Sequence, residues 1–407
     1  MTSSTAPTSS YRRNVALLAI AQGLFMCTQS MGIATTPLAG HALLGADKSL
    51  ATLPIFLNHA GIMLTTIPAS LLMGRIGRRA GFTIGAMLAI VFGVLAAYAV
   101  VIHSFVLLCA SALLQGSAAA FAWYYRFAAA DSSPDVFKPK AISYVMAGGI
   151  AAGLIGPQIA KWTVDWFAPI TFMGVYVAIT ITGALSVVLV RFLRIPQLTA
   201  AERAEGGRPM LEIIRQPTYI AAIVSSMFGY GVMTLVMSAT PLAMLDCGFH
   251  FADSATVIQA HIIAMFLPSF FTGHLIQRFG VLTIIATGAL IQACCALVNI
   301  AGVEFGNFLV ANTLVGLGWN FTYVGGSTLL TRTYRPAERA RVQASHDFTV
   351  YATTATAAAL AGFLQQRSGW TAINVAALPI MAIVVLTAVF VGIKMGRHAH
   401  VAQQPAE

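Results

Sequence analysis

Long apolar runs separated by short polar interruptions make up most of this chain, and twelve can be marked, at approximately 14–39, 50–73, 81–101, 105–128, 141–162, 169–192, 217–243, 254–276, 281–302, 306–330, 342–365 and 370–393. A helix needs about 20 residues to cross roughly 30 Å of hydrocarbon, so each run predicts one membrane-spanning helix. The expected fold class is an all-α polytopic membrane protein. Composition excludes the alternative that a length of 407 residues would otherwise invite, two or three soluble domains: hydrophobic residues are 58% and charged ones 9%, too little charge for a soluble surface.

Lysine and arginine set the orientation, because short positive loops are retained in the cytoplasm. With the N-terminus inside, only Lys48, Lys161 and Arg367 of the 23 basic residues fall on the outer side. Both termini are therefore expected in the cytoplasm of a bacterial inner membrane, and the net charge of +10 reads as topology and contact with anionic lipid. Nucleic acid is not an expected partner, since the charge lies in short loops and not on a folded basic domain. Residues 1–13 are polar and end in Arg12 and Arg13 before a run too long for a signal-peptide core, so the first helix is expected to stay attached. Cys27, Cys109, Cys294 and Cys295 fall inside predicted helices and Cys247 stands alone near the outer face. No disulfide, metal site or cofactor is expected.

The chain repeats itself at half its length. Thr36-Pro37-Leu38-Ala39 returns as Thr240-Pro241-Leu242-Ala243, an offset of 204 (240 − 36), and Gly116 meets Gly318 at 202 (318 − 116). A polar stretch SLLMGRIGRR from Ser70 to Arg79 returns in weaker form as GHLIQRFG, with Arg75/Arg278 and Gly77/Gly280 both 203 apart (278 − 75 and 280 − 77). Agreement in order and spacing predicts two homologous halves, an N-terminal bundle at 1–193 and a C-terminal one at 217–407. Between them 194–216 is polar, with proline and paired glycines, and reads as a cytoplasmic linker.

The arginine-rich stretch resembles the loop between helices two and three of major facilitator superfamily transporters, whose form is G-x-L-x-D-R-x-G-R-R. Ser70 and Gly74 replace the glycine and the aspartate of that form, and Gln277 replaces the aspartate of the second copy. The charge relay that the family builds on that aspartate is therefore in question, while the cationic part is retained. The resemblance implies twelve helices in two pseudo-symmetric six-helix bundles, with helices one, four, seven and ten along a central path, rocking in alternating access. It also implies a cytoplasmic gate at Arg75, Arg78, Arg79, Arg126 and Arg278. The loops carrying Pro134, Lys138 and Lys140, and Pro336, Arg339 and Arg341, correspond between the halves. Gly148, Gly149, Gly153 and Gly156-Pro157 predict close packing of the fifth helix. The arginine of the family's proton-antiport motif in helix four is absent, its place taken by Ala112.

An ionisable side chain at mid-bilayer costs about 2.5–3.5 kcal/mol to insert, so such residues are functional candidates. Of thirteen acidic residues, Asp347 alone falls well inside a predicted helix, beside His346. It is a candidate for proton coupling, with pairing to Arg339 or Arg341 at the cytoplasmic rim as the alternative. His59 and His261 stand at nearly equivalent places in the two halves and can change charge near neutral pH; a neutral imidazole bonded to a neighbouring helix is the alternative for each.

The resemblance puts aromatic and amide side chains on the central path: Trp123 and Tyr124 of helix four, Trp319, Asn320 and Tyr323 of helix ten, Gln22, Gln29 and Thr36 of helix one, and Tyr230 of helix seven. Flat ring systems stack on such aromatics while amides supply hydrogen bonds. A membrane-interface belt is the other reading of Tyr124 and Tyr125, and it fits Trp319 poorly. With almost no fixed charge there, a neutral solute is favoured. The runs GWNFTYVGGSTLLTRTYRP and RFAAADSSPDVFKPKAISYV are similar to a bacterial subgroup associated with riboflavin transport. A monomeric secondary transporter of a small planar heterocycle is expected, with proton-coupled drug efflux, a membrane-embedded enzyme or a receptor as alternatives. No phosphate-cradling loop is present, so no ATP site is expected.

Overall fold

The computed structural model describes residues 8–44, 50, 53–195 and 207–401. Asp47 and Lys48 of the first outer loop, the linker residues 196–206 and the tails at 1–7 and 402–407 lie outside the described residues. Every regular element among the described residues is helical, as a lipid solvent requires, because only a helix satisfies all its backbone polar groups within one segment. In chain order these are α1 (Thr8–Leu43), α2 (Leu53–Ile76), α3 (Arg78–Val101), α4 (Phe105–Ala122), α5 (Tyr125–Asp131), α6 (Lys138–Ala147), α7 (Ile150–Leu154), α8 (Gly156–Thr163) and α9 (Met173–Arg191). There follow α10 (Met210–Ile214), α11 (Pro217–Asp246), α12 (Phe251–Phe266), α13 (Ser269–Phe279), α14 (Val281–Ala301), α15 (Phe305–Leu330) and α16 (Arg339–Val401). Gly369, at φ 77°, breaks α16 into two helices.

Two compact units form. The first is Met1–Gly206 with Pro336–Tyr351, and the second is Gly207–Arg335 with Ala352–Glu407. Within the first, α4 packs against α2 and α3, and α3 against α9. Within the second, α15 packs against α12, α14 and α11. The half-length repeat is thus visible in packing, with α4 and α15 as the central helices of their units.

Among the described residues, eight helices are long and apolar enough to cross a membrane, or nine if α12 and α13, bent by 43°, form one span. Pro268 sits at that bend, where it removes a backbone donor. The other predicted spans are helical but differ in character. The fifth is divided into α6, α7 and α8 at Gly148-Gly149 and Ile155. The tenth, α15, carries Asn307, Asn312 and Asn320, and the eleventh is the polar first part of α16. Large apolar side chains face outward along the spans, Phe390 at 65% exposure and Leu386 at 67% among them, a surface that calls for lipid.

Two glycine pairs explain local geometry. Gly77 lies at φ 90°, ψ 155° and Gly280 at φ 86°, ψ 149°, a region open essentially to glycine alone. Each turns the chain sharply between one helix and the next, so the repeated glycine of the arginine loop is a backbone requirement in both units. At Gly148 a Cβ would lie 2.2 Å from the Ala19 carbonyl oxygen, and at Gly156 2.8 Å from the Ser30 Cβ. The glycines of the fifth span thus let it press against α1, the close packing expected of it.

Candidate functional site

In the first unit the chain from α4 to α5 and the start of α16 build a buried polar cluster. Helix α4 ends at Ala122, and Trp123 and Tyr124 turn the chain into α5. Arg126, 1% exposed, donates to the Trp123 carbonyl and to Asp347 Oδ1, the latter at 2.6 Å. Asp347 is wholly buried, and His346 Nδ1 stands 2.8 Å from the same Oδ1. The Arg126 guanidinium also lies 4.2 Å above the Phe127 ring, whose edge meets His346. Two opposite charges are thereby neutralised inside the fold, where removing one partner would cost about 3–5 kcal/mol. The expected rim partners of Asp347, Arg339 and Arg341, are displaced in this role by Arg126. That pairing needed an α5 residue and an α16 residue to be folded together, which their sequence separation hides.

A second relay lies in the same unit. Arg78 donates to Asp131 at 3.3 Å and to Gln343 Oε1, and Gln343 Nε2 donates to Asp131 at 3.3 Å. Ser70 Oγ donates to the Ala340 carbonyl at 2.7 Å. With Gly74 in the place of the family's aspartate, Arg78 has its carboxylate partner in Asp131, and Ser70 holds the start of α16 directly. Of the expected gate residues, Arg78 and Arg126 are buried, while Arg75, Arg79 and Arg278 are exposed. Outside the spans, Lys138 donates a hydrogen bond to Asp135 at 2.7 Å and holds its carboxyl below the usual range.

The aromatic residues are interior. Trp123 meets Phe25 edge to face at 5.5 Å and Tyr351 at 5.9 Å. Tyr124 lies under the Arg78 guanidinium and its hydroxyl donates to the Thr66 carbonyl at 3.1 Å. Tyr125 meets Phe82 edge to face at 4.7 Å. With exposures of 0% and 3%, Tyr124 and Tyr125 are no interfacial belt. The belt reading fails because both rings are packed within the unit, Tyr124 under Arg78 and Tyr125 against Phe82. Gln22, Gln29 and Thr36 of α1 are buried. Thr36 accepts from the Tyr176 hydroxyl at 3.3 Å, and Gln29 borders a cavity of about 20 Å³ shared with Thr28 and Gln115, room for one water.

In the second unit Trp319 and Tyr323 stack at 5.1 Å with an interplanar angle of 17°. Tyr230 meets both rings edge to face at 5.3 and 5.2 Å, and Phe266 meets Trp319 at 5.6 Å. Trp319 and Tyr323 are fully buried and Tyr230 is half-buried. Asn320, expected to hydrogen-bond a solute, has its amide committed within the unit: Nδ2 donates to the Met265 carbonyl at 2.6 Å and to Ser269, and Oδ1 accepts from Thr272 at 2.6 Å. It clamps α15 to α12 and α13. His59 Nδ1 bonds the Ile55 carbonyl of its own helix, and His261 Nδ1 the Asn312 carbonyl of α15. A carbonyl only accepts, so Nδ1 carries a proton in both histidines.

Sequence reasoning passed over Asp131, Gln343, Phe25 and Tyr351 as members of these clusters. Gln343, Asp347 and Tyr351 recur every four residues along one face of α16, a signal that could have grouped them.

The chain is similar to known proteins along nearly its whole length. The model of the family described as Major Facilitator Superfamily matches residues 18–303 and 233–406. The riboflavin transporter RfnT of Brucella anthropi is 38% identical over 377 residues, covering 92% of this chain and 94% of that protein. The MFS-type transporter YddS of Bacillus subtilis, uncharacterized, is 26% identical over 90% of this chain and 87% of its own length. Among solved structures, the transporter FucP in its outward conformation superposes with a TM-score of 0.77 at 17% identity, covering 94% of this chain and 99% of that one. The human organic anion transporter MFSD10 gives 0.76 at 12%, covering 94% and 100%. Helical units with matching internal packing, a repeated arginine loop and these similarities together make the chain a transporter belonging to the Major Facilitator Superfamily.

Proposed function

We propose that this transporter carries a neutral, planar, riboflavin-like solute across the bacterial inner membrane by secondary, alternating-access transport. The observation that carries this reading is the 38% identity to a riboflavin transporter over nearly the full length of both chains. The buried charges agree with it, since Arg126 and Asp347 cancel each other and leave no net charge for an ionic solute to balance. Trp123, Gln22 and half-buried Tyr230 are the residues proposed to touch the solute. Trp319 and Tyr323 back Tyr230, and Gln29 and Thr36 support α1. The distribution of lysine and arginine supports termini on the cytoplasmic side. Proton coupling is proposed at Asp347, His59 and His261, the two histidines each bonding a carbonyl through Nδ1. Arg78 is the proposed cytoplasmic gate residue, and the protein is proposed to act as a monomer with lipid and solute as its partners.

The test is uptake. A riboflavin-requiring bacterium expressing the protein should grow on limiting riboflavin, and labelled riboflavin should accumulate in its cells. Absence of rescue together with raised resistance to toxic amphiphiles would reassign the protein to efflux.

A further inference from the structure

A buried polar atom without a partner costs free energy, and in native proteins each one calls for an explanation. Three such atoms occur in one linked group of the first unit: Asp347 Oδ2, His346 Nε2 and Trp123 Nε1. They are joined through Arg126, which bonds both the Trp123 carbonyl and Asp347 Oδ1. Asp347 Oδ1 takes the His346 Nδ1–H as well. A carboxylate accepts, so that bond places a proton on Nδ1, and in the neutral imidazole Nε2 is then an open acceptor. With the imidazole neutral, the group holds two acceptors and one indole donor without partners and carries no net charge.

This inventory discriminates among ligands. A metal or ammonium cation would meet the Arg126 charge. An imide ring edge runs acceptor, donor, acceptor and cannot face two acceptors. A chain of hydroxyl groups fits, because each hydroxyl both donates and accepts. We infer that Asp347, His346 and Trp123 form a binding subsite for the hydroxyl chain of a neutral polyhydroxylated solute, the ribityl chain when the solute is riboflavin. The inference rests on the riboflavin reading and assigns that chain, not the flavin ring, to the charged cluster.

Purified full-length protein is titrated with riboflavin and with lumiflavin, which has the same ring with a methyl group in place of the ribityl chain, by flavin fluorescence. The wild type should bind riboflavin at least about tenfold more tightly, the loss expected when hydrogen bonds to a charged acceptor are removed. His346→Asn keeps a donor for Asp347 Oδ1 but removes the Nε2 acceptor, and should weaken riboflavin about tenfold while leaving lumiflavin unchanged. The double variant Arg126→Gln, Asp347→Asn removes both charges together, so that neither is left buried alone, and should abolish the preference. An unchanged riboflavin-to-lumiflavin ratio in both variants overturns the subsite and leaves the riboflavin reading standing. Failure of the wild type to bind either flavin overturns that reading and the subsite with it. A ratio unaffected by His346→Asn, with pH dependence of binding lost, would make the group a proton site only and also overturn the inference.

Discussion

Arg126 and Asp347, 221 residues apart in sequence, meet at 2.6 Å with 1% and 0% of their side chains exposed. Neither charge has water to fall back on. Replacing Asp347 by Ala should destabilise the protein by about 3–5 kcal/mol by stranding the guanidinium. The double variant Arg126→Gln, Asp347→Asn should cost less than the sum of its single changes. Thermal unfolding in detergent across the four proteins gives the coupling, and strict additivity would mean the pair does not act as a unit.

The arginine loop divides into a buried and an exposed part. Arg78→Gln should break the bonds to Asp131 and Gln343 and change both uptake rate and the labelling of cysteines introduced near the start of α16. Arg75→Gln and Arg79→Gln, at exposed positions, should leave stability within about 0.5 kcal/mol of wild type. Equal effects from all three would remove the distinction.

Gly77 and Gly280 share a backbone conformation that side chains avoid. Gly77→Ala and Gly280→Ala should each cost about 1–3 kcal/mol, and by similar amounts, since the two turns repeat each other. Unfolding measurements on the single variants are sufficient. A penalty at one position with none at the other would contradict the equivalence of the loops.

Asn320 and Tyr230 should behave oppositely. Asn320→Ala leaves the Thr272 hydroxyl and the Met265 carbonyl without the amide they now bond, which should lower stability by about 1–3 kcal/mol while flavin affinity holds within twofold for the folded protein. Tyr230→Ala should weaken a planar ligand by about 0.5–1.5 kcal/mol beyond the area it loses. Trp319→Phe, which keeps a ring against Tyr323, should weaken binding less than Tyr230→Ala. Binding titrations paired with melting temperatures separate these cases.

What the sequence determined is what repeats or alternates along it. Hydrophobic runs long enough for a bilayer dictated helices, because lipid offers the backbone no other way to satisfy its polar groups. The offset of Gly77 and Gly280 announced two related units, because a turn that only glycine tolerates leaves a mark at each copy. Spans built from purely apolar residues were the most legible, whereas the fifth, tenth and eleventh, rich in glycine, asparagine or charge, differ from simple spans where packing takes over from lipid exposure. The tertiary structure alone decided the partners of the buried polar groups. Arg126 read as a gate charge and Asp347 as a coupling carboxylate or a partner of Arg339 or Arg341 until folding set the two together, the Asn320 amide found its partners in α12 and α13, and the belt alternative for Tyr124 and Tyr125 gave way to burial within the unit. Periodicity reports which face of a helix avoids water or lipid; it carries no information about which distant side chain completes a hydrogen bond, since that choice is made by close approach between helices far apart in the chain.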